Sequence, residues 1–261
     1  MPSASDRTTG RPGGRPAARD RIATKRAAEK ARQEQARKRR ARLVTGSVVA
    51  AIVAVIVVVA IIVQSARTDT ADAATPATVA EGTGGAGFAT GPADAPVTID
   101  VYEDYLCPAC RAFEEVAGDA LDQLAAEGEA LVRYRPVAIL DRLSADDYST
   151  RAANAAAVVA DAAGVETFLE FSDLLFANQP AEGGPGLSDQ ELVSLAAQAG
   201  ATGADVETGI RELRFGDWVA RVTDQASQEG LTGTPTVLVN GEPLAVPTAE
   251  ALLAAVQAAT E

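Results

Sequence analysis

The chain has 261 residues, 47% of them hydrophobic, with a formal net charge of -13, two cysteines and no histidine. Its charge is split: residues 1–42 carry 14 Lys or Arg against 4 acids, while residues 64–261 carry 9 Arg, no Lys and 32 acids. With two sulfurs and no imidazole, a tetrahedral zinc site is short of ligands unless carboxylates or a second subunit supply them.

Residues 1–22, with Gly10, Pro12, Gly13, Gly14 and Pro16 among scattered Arg, cannot bury a core and are expected to be disordered. Ile22 to Arg42 is rich in Ala, Arg, Lys, Gln and Glu and reads as a basic helix. No aromatic residue interleaves its bases, so contact with anionic lipid is the preferred reading over nucleic acid. Together, residues 1–42 form a basic cytoplasmic tail.

Leu43 to Val63 is a run of 21 residues without a charge. As a helix it would be about 31 Å long, enough for a bilayer core. A cleaved signal peptide has a shorter apolar centre and a shorter basic lead. An uncleaved single-pass transmembrane helix is therefore predicted over 43–63, with cleavage near Ala71, Ala73 and Ala74 as the minor alternative. Arg37, Lys38, Arg39, Arg40 and Arg42 crowd its first edge. The positive-inside rule then leaves the amino end in the cytoplasm and the acidic part outside the cell membrane. Residues 64–87, an Ala/Thr/Gly stretch, read as a flexible linker.

Residues 88–261 suffice for one cored domain. Val97 to Tyr102 is rich in β-branched residues and reads as a strand. After Cys107, the positions Phe113, Val116, Ala117, Ala120, Leu121, Leu124 and Ala125 recur at steps of three and four, which predicts one helix face ending near Gly128. Leu131 to Val137 supplies a second strand, so strand, helix and strand form a parallel crossover. From about 141 to 230 the pattern is helical. Ser144 with Asp147 and Ser188 with Glu191 resemble capping boxes, and the stretch from Pro180 to Gly186 breaks the run. Thr236 to Val239, then Asn240-Gly241, then Glu242-Pro243-Leu244 predicts a hairpin whose Pro243 strand lies on a free edge. Thr248 to Ala259 closes as a helix with Ala251, Leu252, Leu253 and Val256 inward.

The two cysteines stand in Cys107-Pro108-Ala109-Cys110, where strand becomes helix. A disulfide closing so small a ring removes little unfolded-chain entropy, so a structural staple is a poor reading. Thiol exchange instead requires one thiolate to attack and a second thiol nearby to resolve the mixed disulfide. Unpaired N–H groups and the macrodipole at a helix amino terminus lower a thiol's pKa. Cys107 stands there as nucleophile, Pro108 suits the first turn, and Cys110 one turn on is the resolving thiol.

The order of strand, C-x-x-C opening a helix, strand, helical block, and then Gly233-Thr234-Pro235-Thr236 before a strand and hairpin resembles the thioredoxin superfamily. The inserted helices and the stretch "GTPTVLVNG" are similar to the DsbA-like branch of bacterial extracytoplasmic disulfide oxidoreductases. The resemblance covers residues 88–261. It implies an α/β thioredoxin fold with a helical subdomain inserted over about 141–230, preceded here by the transmembrane helix. It also implies a cis Thr234–Pro235 bond beside the cysteines, with the Thr234 backbone free to pair with a client peptide.

The expected activity is exchange of disulfides with cysteine-containing exported proteins, foremost as an oxidase restored by a membrane redox partner. No cofactor is required, since electrons move through sulfur. A reductase or isomerase of the same fold, or a tethered peptide-binding module, are the alternatives. Ala109 departs from the His or Tyr of many relatives, so strong oxidising power is not inherited by analogy. The acid that many relatives bury six residues before the first cysteine is replaced by Val101, and Asp100 belongs to the opposite face. Glu103 and Asp104 are open to two readings, proton transfer or plain solvation, the latter being commoner at a strand end. Trp218 is expected in the core, and Tyr102, Tyr105 and Leu106 as an apolar collar for clients, with ordinary packing equally open to Tyr102.

Overall fold

The computed structural model describes residues 73–260. The expected cytoplasmic tail, the transmembrane segment 43–63 and the opening of the linker lie outside them. Among the described residues, no helix is long and apolar enough to cross a membrane.

Strands β1 (Phe88–Thr90), β2 (Val97–Glu103), β3 (Ala130–Pro136), β4 (Thr236–Val239) and β5 (Glu242–Pro243) form a sheet ordered β1-β3-β2-β4-β5. The expected crossover is present. β2 runs parallel to β3 with Val101 opposite Tyr134, and helix α1 (Pro108–Ala126) joins them. The remaining pairings are antiparallel.

Phe113, Ala117, Leu121, Leu124 and Ala125 of α1 face inward together with Cys110. Val116, expected on that face, is 60% exposed, because it falls on the flank of the Phe113–Ala117 stripe. The helix stops as the periodicity predicts: Gly128 takes φ 75°, and the N–H groups of Gly128 and Glu129 close back on the carbonyls of Ala125 and Leu124.

The insertion begins with a 3-10 turn, Asp141–Leu143, followed by α2 (Tyr148–Ala163), α3 (Val165–Ala177), α4 (Asp189–Ala199), α5 (Ala204–Arg211) and α6 (Gly216–Gln228). Its centre is α2, where every residue from Ala152 to Ala160 is buried. The small alanine side chains let neighbouring helices approach from all sides. Asn154 is the polar exception in that stretch. Its amide nitrogen lies 3.3 Å from the carbonyls of Gly209 and Ile210, and its oxygen accepts from the Phe215 N–H at 2.8 Å. One side chain thus fixes the turn between α5 and α6.

Ser188 and Glu191 form a full capping box at α4. Ser144 and Asp147 do not. Asp147 precedes α2 in the left-handed region at φ 43°, and the Ser144 hydroxyl accepts from the Tyr148 N–H instead. The hairpin is as expected, with Asn240 and Gly241 at φ 51° and 84° and Pro243 on the outermost strand. In α7 (Ala249–Thr260), Leu252 and Val256 are buried, whereas Leu253, expected inward, is 48% exposed on the adjacent face.

The linker expected over 64–87 is, from Thr75 onward, a strap laid across the domain. The Ala77 N–H donates to Asp161, Trp218 Nε1 to the Gly85 carbonyl, and the Arg133 and Arg135 guanidinium groups to the carbonyls of Gly82 and Thr83. These two Arg also pair with Asp100, which is buried between them. Hydropathy gives no sign of the strap, because its backbone carbonyls rather than its side chains meet the buried cations' demand for acceptors.

Candidate active site

β2 ends at Glu103, and a tight turn carries the chain to Cys107, which is the N-cap of α1 with Pro108 in the first turn. Cys107 is 6% exposed and Cys110, one turn deeper, is fully buried; neither is in a disulfide. Pro108 and Ala109 form the exposed rim. No acidic residue occupies the first turn of α1, so nothing there opposes negative charge at its tip.

The Thr234–Pro235 bond is cis, as the resemblance implies. It brings the Thr234 carbonyl oxygen to 3.2 Å from Cys107 Sγ. The expected site residues therefore converge from two distant stretches of chain. The Thr234 hydroxyl is buried and is placed to donate to the Cys107 sulfur when that is ionised.

The two sulfurs differ strongly in acidity. Cys107 is brought down to about 5 by the Cys110 thiol, against the effect of burial, with Thr234 and the N–H groups of Cys110 and Ala109 assisting. Burial pushes Cys110 far up, and the neighbouring Cys107 and Glu103 add to the rise. One thiol is poised to attack while the other keeps its proton.

The two strand-end acids, left open between proton transfer and the commoner solvation, are both buried. Asp104 is a hub: it accepts from the N–H groups of Leu106 and Leu140 and from the Ser149 hydroxyl at 2.6 Å, while its own N–H points at Cys110 Sγ at 3.5 Å. Burial still raises its carboxyl to about 6. Burial, followed by the charge of Glu114, holds Glu103 well above the usual carboxylate range, so that the Glu103–Glu114 pair keeps a proton. Glu114 itself, four residues beyond Cys110 on α1, is raised to about 7 by burial and by Asp173. Beyond this pair a cleft of about 90 Å³, lined by Glu114, Asp122, Tyr134 and Asp173, opens between α1 and α3. The burial of Glu103 was not legible, because β2 is covered on both faces and strand alternation alone does not reveal that.

The collar is a correction for Tyr105 and Leu106, while Tyr102 takes the ordinary packing equally open to it. Tyr102, Tyr105 and Leu106 are buried, with the Tyr105 ring against Phe176 and its oxygen accepting from Ser172. Tyr102 packs under Arg135 and donates to Glu229. They form the floor of the turn. Trp218 is fully buried, as expected. Unforeseen is Gln179, just past α3, whose amide reaches the carbonyl oxygens of Tyr105 and Cys107 at 3.0 Å each.

The family model described as Thioredoxin matches residues 83–258. The fold superposes on the reduced disulfide oxidoreductase DsbG of Mycobacterium tuberculosis with a TM-score of 0.59 and 33% identity, covering 67% of this chain and 87% of that one. Reduced DsbA of Mycobacterium tuberculosis gives a TM-score of 0.58 and 32% identity, with 67% and 92% covered. Among curated proteins, the serine/threonine-protein kinase PknE of Mycobacterium tuberculosis is 34% identical over 119 residues. That match takes in 44% of this chain and 21% of the kinase, so the chain spans about a fifth of that relative's length. The chain belongs to the thioredoxin family and is a DsbA/DsbG-like protein thiol-disulfide oxidoreductase.

Proposed function

We propose that the chain is an extracytoplasmic oxidase that hands the Cys107–Cys110 disulfide to exported proteins and is held at the cell membrane by residues 43–63. The carrying observation is the placement of Cys107 at the tip of α1, with no acid in the first turn and with the Cys110 thiol and the N–H groups of Ala109 and Cys110 turned toward its sulfur. Stabilising the thiolate favours the reduced form, and a protein whose reduced form is favoured is oxidising toward its clients.

In that reaction a client thiolate attacks Cys107, and the sulfur–sulfur bond breaks with its electron pair going to Cys110. Glu103 gives Cys110 a proton. The client's second thiolate then attacks the client sulfur of the mixed disulfide, and Cys107 leaves as thiolate. Two electrons pass from client to enzyme. A membrane redox partner would remove them and restore the disulfide. An extended client chain would lie against Thr234 and Pro235 through backbone contacts, which tolerate many sequences.

Equilibration with glutathione redox buffers tests the direction. A potential well above the glutathione pool supports the oxidase, and one near that of thioredoxin, about -270 mV, would make the enzyme a reductase. Thiol labelling from outside intact cells tests the location: Cys107 reacts if the domain is exported and is protected if it faces the cytoplasm.

A further inference from the structure

The turn that presents Cys107 is gripped from two sides. The peptide unit between Tyr105 and Leu106 is held at its N–H by the Asp104 carboxyl, 2.9 Å away, and at its oxygen by the Gln179 amide at 3.0 Å. The same amide holds the Cys107 carbonyl, also at 3.0 Å. That carbonyl already accepts from the N–H groups of Cys110 and Arg111 in the first turn of α1, at 3.1 and 3.3 Å. It is therefore held from within by the helix and from without by Gln179.

Gln179 is itself well placed to hold. It follows the end of α3, its N–H donates to the Phe176 carbonyl, and the last turns of α3 lie on Tyr105 through Phe176 and Ser172. The two carbonyl oxygens are negative ends of peptide dipoles within two residues of the reacting sulfur. An amide nitrogen brings positive partial charge to both, and it fixes the peptide planes on either side of the Leu106–Cys107 pair.

We propose that Gln179 is a positioning residue through which the inserted helices set the reactivity of Cys107: its amide holds the Tyr105 and Cys107 carbonyls so that the sulfur stays at the tip of α1. This rests on Cys107 being the nucleophile. A Gln179→Leu variant keeps the bulk and removes both donors. In the whole 261-residue chain, thiolate absorbance against pH and the equilibrium with glutathione are the readouts.

Loss of the amide is expected to raise the Cys107 midpoint by about half to one pH unit, and to shift the equilibrium about three- to tenfold toward the enzyme disulfide. Gln179→Glu, whose ionised side chain repels both carbonyls, should exceed it. Phe176→Leu loosens the same α3 contact on the Tyr105 ring without touching the carbonyls, so it should lower the melting temperature and leave both chemical readouts alone. Should the Leu variant not fold, Gln179→Asn, with its amide on a shorter stem, is read the same way.

A folded Gln179 variant with an unchanged midpoint and equilibrium overturns the inference, as does a Phe176→Leu variant that shifts them equally. If instead the unsubstituted chain titrates like an ordinary thiol, it is the assignment of Cys107 that fails.

Discussion

The Cys107 sulfur and the Thr234 carbonyl, 127 residues apart in the chain, stand 3.2 Å from each other. That contact joins the helix tip to the cis-proline loop and defines the edge on which a client disulfide would form. Replacing Cys107 by Ser should abolish exchange with a peptide dithiol. Replacing Cys110 by Ser should instead leave a mixed disulfide with the client on Cys107, visible by mass spectrometry after acid quenching.

The depressed pKa of Cys107 ties the stability of the reduced protein to pH. Its folded value of about 5 lies below the ordinary 9.0, so between the two the unfolded chain binds more protons than the folded one. The stabilisation is complete above the ordinary value, shrinks as pH falls, and is gone below about 5. The disulfide form has no such dependence from these sulfurs. Urea unfolding of both forms at pH 4 and pH 8 should show the reduced protein gaining on the oxidised one as pH rises; equal differences would contradict the assignment.

Glu103 is buried in the core and close enough to Cys110 for its charge to raise that thiol's pKa, which suits it to exchange a proton there. A Glu103→Gln variant keeps the shape and cannot ionise. Resolution of a Cys107–glutathione mixed disulfide should slow by about a hundredfold, the usual scale for a lost general acid or base. The Cys107 midpoint should move much less. Stopped-flow measurement of both separates a proton carrier from a packing residue.

Glu114 carries a penalty of the opposite sign. Its folded value of about 7 exceeds the ordinary 4.5, so the folded chain holds the extra proton and stability falls as pH rises between them. Glu114→Gln should therefore stabilise the domain by on the order of 1 kcal/mol at pH 8 and leave it unchanged at pH 4. Thermal melts at the two pH values decide it.

Asn154 serves three backbone groups in a layer otherwise made of Ala and Val. Asn154→Leu leaves those groups buried and unpaired, at a cost of about 3 kcal/mol or more. Denaturant unfolding should show the loss, while the folded fraction keeps the Cys107 midpoint.

Much of this architecture can be read from the residues alone, where local chemistry and tertiary need coincide. Cys107 and Pro108 at a helix start, Gly128 at its end and Asn240-Gly241 between strands each announce their conformation. Glu103 and Asp104 do not, since what buries them comes from α1 and from helices some 40 or more residues away, such as Ser149 and Asp173. Gln179 is silent for the same reason: a lone Gln in a loop has no pattern, and its role exists only once α3 has docked on the turn. Tyr105 and Leu106 mislead because an apolar residue beside a reactive site suits a client contact and a floor equally well.

The strap has a practical bearing on where this enzyme can be cut. Removing everything ahead of Phe88 would leave Arg133 and Arg135 with Asp100 alone, take from the Trp218 indole its acceptor, and open the surface the strap covers. A fragment intended for crystallisation or redox titration therefore has to start no later than Thr75, even though its first β-strand lies more than ten residues downstream.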